Sequence, residues 1–153
     1  MDPNDIIIEQ VKEFSLEVAD AIDKFVCQLG EKYQPFTKDS LKEIINAKQS
    51  YLFIARHVPT QEVAGMIMET VYRIPYAKKA YVDDLFVDEK FRNMGIATKL
   101  MQKTVDTAKE QHASYVDFTS KPYRVAGNAL YEKLGFQKRD TNVYRLIFDY
   151  GEV

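Results

Sequence analysis

The chain has 153 residues, with a hydrophobic fraction of 46%, a charged fraction of 29% and a formal net charge of −2. This length suits one domain over residues 1–153 whose core needs no metal or disulfide, and the composition is that of a soluble globular protein. Cys27 is the only cysteine, which excludes an intramolecular disulfide and argues against a thiolate metal cluster. The slightly acidic balance argues against non-specific nucleic-acid binding. The acidic N-terminus has an apolar run of only three residues, 6–8, and reads as neither signal peptide nor membrane span, so a reducing cytoplasm is expected.

Residues 5–11, with consecutive Ile6, Ile7 and Ile8, predict a first strand. Ser15 is placed to cap a helix whose stripe of Val18, Ala19, Ile22, Phe25, Val26 and Leu29 faces the core and which Gly30 ends. Cys27 falls on this stripe and reads as an inert core residue. A linker over 31–36 carries Tyr33 and Phe36, read as aromatics covering the core, with a place over a substrate as the other reading. Thr37 then caps a second helix bearing Leu41, Ile44 and Ile45.

Residues 51–57 and 62–73 predict a hairpin around Val58-Pro59-Thr60-Gln61. Residues 74–79 break the ladder before a third strand over 80–87. In the long helix that follows, Ile96, Leu100, Met101, Val105 and Ala108 recur near helical spacing. A short strand over 114–119, a helix over 124–134 stopped by Gly135, and a closing hairpin of 136–139 and 143–148 complete the chain. This order predicts an α+β, or mixed α/β, fold. The strands on either side of the long helix should be parallel, with a right-handed crossover and a cleft between their C-terminal ends.

The loop between the third strand and the long helix reads Arg92-Asn93-Met94-Gly95-Ile96-Ala97. Gly95 tolerates positive φ and Asn93 is the side chain most at ease there, so the loop can turn several amides toward one point. The uncapped helix N-terminus, its dipole and the forked donors of Arg92 then make an anion site suited to a phosphate or pyrophosphate. Neither GxxxxGK[ST] nor GxGxxG occurs, so a P-loop and a dinucleotide fold are unsupported. His57 and His112 are lone histidines without metal-ligand spacing, and no metal site is expected.

These residues resemble the GNAT superfamily of acetyl-CoA-dependent N-acetyltransferases. Residues 92–97 match its [RQ]xxGx[GA] pyrophosphate loop, and Asp84-Leu85-Phe86-Val87 resembles the signature strand before it. Residues 124–136 resemble its RxxAxxLYxxLGF-like helix and turn. The resemblance runs through the whole element order and, by motif, through residues 82–136. It implies a GNAT-like fold: a central, mostly antiparallel twisted sheet with one parallel pair, flanked by about four helices.

The resemblance also implies acetyl-CoA as cosubstrate. Arg92, Asn93, Met94, Gly95, Ile96, Ala97 and Thr98 would hold the pyrophosphate, and the backbone of Leu85, Phe86 and Val87 the pantetheine arm, as a free edge takes an extra strand. Asn128, one helical turn before Tyr131 on the same face, would bind that arm as well. Tyr131 corresponds to the tyrosine near the cofactor sulfur, where a phenol can protonate the leaving thiolate.

An amine attacks only when neutral, so a carboxylate or a water relay must take its proton. Asp83 is the first candidate and Glu69, on the preceding strand, the reserve. Asp83 and Asp84 should face opposite sides by strand alternation. The acceptor would be a small-molecule amine or a peptide amine, attacked directly in a ternary complex, and a homodimer is compatible. A non-catalytic acyl-CoA-binding module is the alternative.

Overall fold

The computed structural model describes residues 1–30 and 33–150. Among these, the chain forms two units, Met1–Thr119 and Ser120–Val153. In the first, β1 (Ile6–Gln10), β2 (Ser50–His57), β3 (Val63–Ile74), β4 (Ala77–Val87) and β5 (Val116–Asp117) form one sheet in sequence order. Every neighbouring pair is antiparallel except β4 and β5, which are parallel as their connection by a helix requires. The helices of this unit are α1 (Leu16–Val26), α2 (Lys38–Asn46) and α3 (Ile96–Glu110). With α4 (Val125–Lys133) of the second unit, the fold is a mixed sheet with one parallel pair and four helices, as expected.

Helices α1 and α2 pack against β2 and β3, and α3 crosses β1 to β4. Val18, Ala19, Ile22, Phe25 and Leu41 meet Leu52, Ile54 and Met66 in the first core. Val71, Ala80 and Ala108 meet beneath α3. The stripe of α3 is broader than its apolar residues suggest: Thr104 and Thr107 are buried with Leu100 and Met101. Thr104 can be there because its Oγ1 donates to the Met101 carbonyl at 2.7 Å, which satisfies the hydroxyl inside the helix.

Ser15 accepts from the Val18 amide, and Thr37 forms a reciprocal capping box with Ser40. Helix α1, however, ends at Val26 rather than at Gly30, and Cys27, its C-cap, is exposed. The core reading of Cys27 is thereby overturned, because the helical period puts Ile22, Phe25 and Val26 on the buried stripe and turns position 27 away from it. Phe36 packs on the core, whereas Tyr33 is exposed. Glu31 and Lys32 of the same linker lie outside the described residues.

Three other boundaries move. Strand β4 begins at Ala77, so Lys78 and Lys79 extend the ladder opposite Arg73 and Tyr72 instead of breaking it. The turn needs only Pro75 and Tyr76, since Ile74 already pairs with Ala77. Strand β5 is limited to two residues. The closing hairpin does not form: residues 136–150 contain no strand, and Val143, Tyr144, Leu146, Ile147 and Phe148 are exposed. Two strands alone are marginal, and their β-branched and aromatic residues gain little where neither face is covered. Among the described residues no helix is long and apolar enough to cross a membrane.

Candidate active site

The anion loop is built from its buried residues outward. Phe91 and Met94 point into the core, and Phe91 lies 5.2 Å from the His57 ring, measured between centroids. Asp88 starts the loop by accepting from the Lys90 amide at 3.0 Å and from Lys24 of α1 at 2.9 Å. Burial pushes its pKa up, but the Lys24 and Lys90 hydrogen bonds and charges outweigh it and hold the carboxylate below its ordinary range. Asn93 (φ 63°) and Gly95 (φ 72°) both adopt the left-handed region, as their residue types predict.

Gly95 is the N-cap of α3 and offers no side-chain cap, so the first amides of the helix stay available to an outside acceptor. A Cβ built on Gly95 would meet nothing within 4 Å: the mouth of the loop is open. Arg92, Asn93 and Thr98 are exposed around it, and Ala97 is half-buried. Met94 and Ile96 are buried, so their side chains anchor the loop and only their backbone groups face its mouth. The residues present therefore fit a pyrophosphate.

Beside the loop, β4 has a free edge. Its pairing with β5 stops at Tyr81↔Asp117, although the strand continues to Val87. Phe86 and Val87 use their other edge to pair with Met66 and Gly65, and the Phe86 ring packs on Phe25 with centroids 4.8 Å apart. Gly65 was not singled out in the sequence, yet β3 cannot approach β4 here without it. A Cβ at that position would stand 2.6 Å from the Phe86 carbonyl oxygen.

A bulge next to Gly65 changes the placement of the acids. Met66 pairs with Phe86 and Met68 with Asp83, so Ile67 alone stands opposite Asp84 and Leu85. Asp84 is forced to φ 53°. The strand alternation that was to set Asp83 and Asp84 on opposite sides is therefore interrupted at Asp84, and both are exposed. Asp83 shares the face of its partner Met68, which packs on the α1 and α2 core. Partial burial raises the pKa of both carboxyls, and the charge of Asp84 raises Asp83 further.

Glu69 takes the opposite face, two residues before Val71 and therefore on the α3 side. It is fully buried, neither carboxyl oxygen has a hydrogen-bond partner among the described residues, and burial lifts its pKa to about 8 against the pull of Lys103. Lys79, absent from the sequence-based candidates, joins the Asp83 face by pairing with Tyr72. His57 is buried and shares a 2.8 Å hydrogen bond with Thr60 Oγ1.

In the second unit, α4 ends as Gly135 and Phe136 predict. The Phe136 amide donates to Tyr131 O and the Gly135 amide to Glu132 O, both at 3.0 Å, with Gly135 at φ 95°. Tyr131 is half-buried and its ring folds back along the helix, so that a Cβ on Gly127 would meet its hydroxyl at 3.6 Å. Burial pushes the phenol pKa up, against the charge of Arg124. Asn128 donates through Nδ2 to the Lys121 carbonyl at 3.2 Å, which ties down the entry to α4.

Residues 18–136 match the family model described as the acetyltransferase (GNAT) family. A curated relative, N-alpha-acetyltransferase 30 of Schizosaccharomyces pombe, is 27% identical over 115 residues, covering 74% of this chain and 76% of its own. A solved aminoglycoside acetyltransferase from an uncultured soil metagenomic sample, bound to trehalose, superposes with a TM-score of 0.79 at 20% identity, over 95% of this chain and 98% of that one. Glucosamine-6-phosphate N-acetyltransferase from Arabidopsis thaliana superposes with a TM-score of 0.78 at 16% identity, over 94% and 99%.

Proposed function

This chain belongs to the acetyltransferase (GNAT) family, and from that premise we propose that it moves the acetyl group of acetyl-CoA to a primary amine by direct attack within a ternary complex. The observation that carries this reading is the open-mouthed loop: Asn93 and Gly95 in left-handed conformation at an uncapped helix N-terminus, beside a β4 edge that no strand among the described residues occupies. Acetyl-CoA, when bound, supplies an activated acetyl thioester. The amides of Gly95, Ile96, Ala97 and Thr98, with the Arg92 guanidinium and the Asn93–Met94 turn, hold its pyrophosphate. The backbone of Leu85, Phe86 and Val87 orients its arm.

Asp83 takes the proton from the attacking amine, directly or through one water, and its raised pKa brings its basicity nearer to that task. Tyr131, from its place in the family-like motif of residues 124–136 rather than from any distance, would keep its proton at neutral pH and give it to the departing sulfur as the C–N bond forms and the C–S bond breaks. Asn128 supports the helix that carries Tyr131. Glu69, sealed beneath α3, is a structural residue rather than a base. The relatives act, by their names, on aminoglycosides, glucosamine 6-phosphate and protein α-amino groups. The exposed Asp83 and Asp84 favour a cationic amine among such acceptors.

The test is an amine panel assayed for thiol release from acetyl-CoA, with calorimetry of the cofactor on wild type and Gly95→Asp. Turnover on at least one amine, and loss of acetyl-CoA binding in Gly95→Asp by more than about a hundredfold, are expected, because a carboxylate would stand where a pyrophosphate must. Cofactor binding without turnover on any amine would make the protein an acyl-CoA-binding module. Unchanged affinity in Gly95→Asp would move the pyrophosphate away from this loop.

A further inference from the structure

The parallel pair of β4 and β5 is only two residues long, Ala80↔Val116 and Tyr81↔Asp117, and the two strands part immediately afterwards. Backbone bonds from the Ser114 amide to Lys78 O and from the Ala80 amide to Tyr115 O precede this fork. So short a ladder does little to fix a strand by itself. What stands at the fork is Lys79. Its Nζ donates to Asp117 Oδ2 at 3.0 Å and lies 5.3 Å from the Tyr115 ring centroid, 5.8 Å from that of Tyr72 and 5.9 Å from that of Tyr81. The lysine side chain is only 15% exposed. One desolvated ammonium thus bridges β3, β4 and the start of β5, in a setting where charge-assisted hydrogen bonds and cation–π contacts are stronger than at an open surface.

We propose that Lys79 is a positioning residue for the cofactor: it clamps β5 to β4 at their last paired register and so sets where the free edge of β4 begins. This rests on the reading above that the edge at Leu85, Phe86 and Val87 takes the pantetheine arm. Without the clamp β5 has two courses. It pairs farther along β4 and competes for that edge, or it leaves β4 and widens the fork. In both, the arm loses its fit. The pyrophosphate loop is held separately, by buried Phe91 and Met94 and by the Lys24–Asp88 ion pair, and does not depend on Lys79.

Calorimetry with two probes separates these parts: coenzyme A, which has the arm, and adenosine 3′-phosphate 5′-diphosphate, which keeps the pyrophosphate and lacks the arm. Lys79→Met and Asp117→Asn should each weaken coenzyme A by about tenfold while the diphosphate stays within about twofold, and Lys79→Arg should recover most of the loss, since a guanidinium also bonds carboxylate and stacks on phenol rings. A merely structural loss would weaken both probes together, and that result overturns the clamp, as does unchanged coenzyme A affinity in both variants. Asp117→Asn carries the test if Lys79→Met fails to fold. A wild type that binds neither probe overturns the proposed function and the clamp with it; a wild type that binds both, with variants unchanged, overturns the clamp alone.

Discussion

Glu69 and Asp83 sit on adjacent strands at neighbouring positions of the same ladder, Met68↔Asp83 and Glu69↔Val82, yet they face opposite sides of the sheet. On one side Asp83 is exposed, next to a second carboxylate. On the other Glu69 lies wholly beneath α3 with no partner for either oxygen among the described residues. Both have raised pKa values, and burial is the leading cause in each. A shifted pKa is therefore no mark of catalysis by itself. What separates the two acids is access: a base must reach the proton it takes, and of the two only Asp83 is exposed.

The contrast is broken or sharpened first by exchanging the acids. Asp83→Asn should lower kcat by about 10² to 10⁴ with acetyl-CoA affinity kept, while Glu69→Gln leaves kcat within about twofold. Because the Asp83 pKa is raised above 3.8, the acid limb of the wild-type pH–rate profile should be displaced toward neutrality, and Asp83→Asn should lose it. A large loss in Glu69→Gln would return the base to β3.

Glu69 should instead be visible in stability. Its pKa rises from 4.5 unfolded to about 8 folded, so the folded state holds the proton more tightly. Its contribution is complete below pH 4.5 and is lost as pH rises to about 8, on the order of 5 kcal/mol in all. Urea unfolding at pH 5, 6.5 and 8 should show this decline in wild type, and Glu69→Gln should flatten it. A wild-type stability that is level over that range would contradict the burial of an unpaired carboxyl.

Tyr131 extends the same rule to the second unit, where burial again raises a pKa, here that of a phenol which stays protonated at neutral pH. Tyr131→Phe should lower kcat by roughly tenfold to a thousandfold with little change in cofactor affinity. A loss confined to affinity would make it a binding residue. The smallest effect is expected at Gly65, which permits the strand approach beside the bulge. Gly65→Ala should destabilise the protein by about 1 to 3 kcal/mol through the contact with the Phe86 carbonyl, read as a lower denaturant midpoint.

Features set by short-range chemistry were legible in the chain. The left-handed Asn93 and Gly95, the caps at Ser15 and Thr37, the buried faces of α1 and α3, and the Gly135 stop all follow from rules that operate within a few residues. The motifs at 92–97 and 124–136 then sufficed for the family. Cys27 shows the limit of that approach, since a difference of one position at a helix end carried it from the expected core to the surface.

What the sequence determined by itself is thus the order of the elements as far as α4, the left-handed turn into the uncapped end of α3 and the acetyltransferase family, because helix periodicity, turn stereochemistry and an uncapped helix end are local properties. Only the tertiary structure decided which acid is accessible, because that depends on cross-strand register and on a bulge produced by two residues of β4 facing one of β3. The role of Lys79 was equally hidden. Its partners come from two segments, Tyr72 from β3 and Tyr115 with Asp117 from the β5 stretch, and no spacing along the chain shows that one ammonium will meet them all.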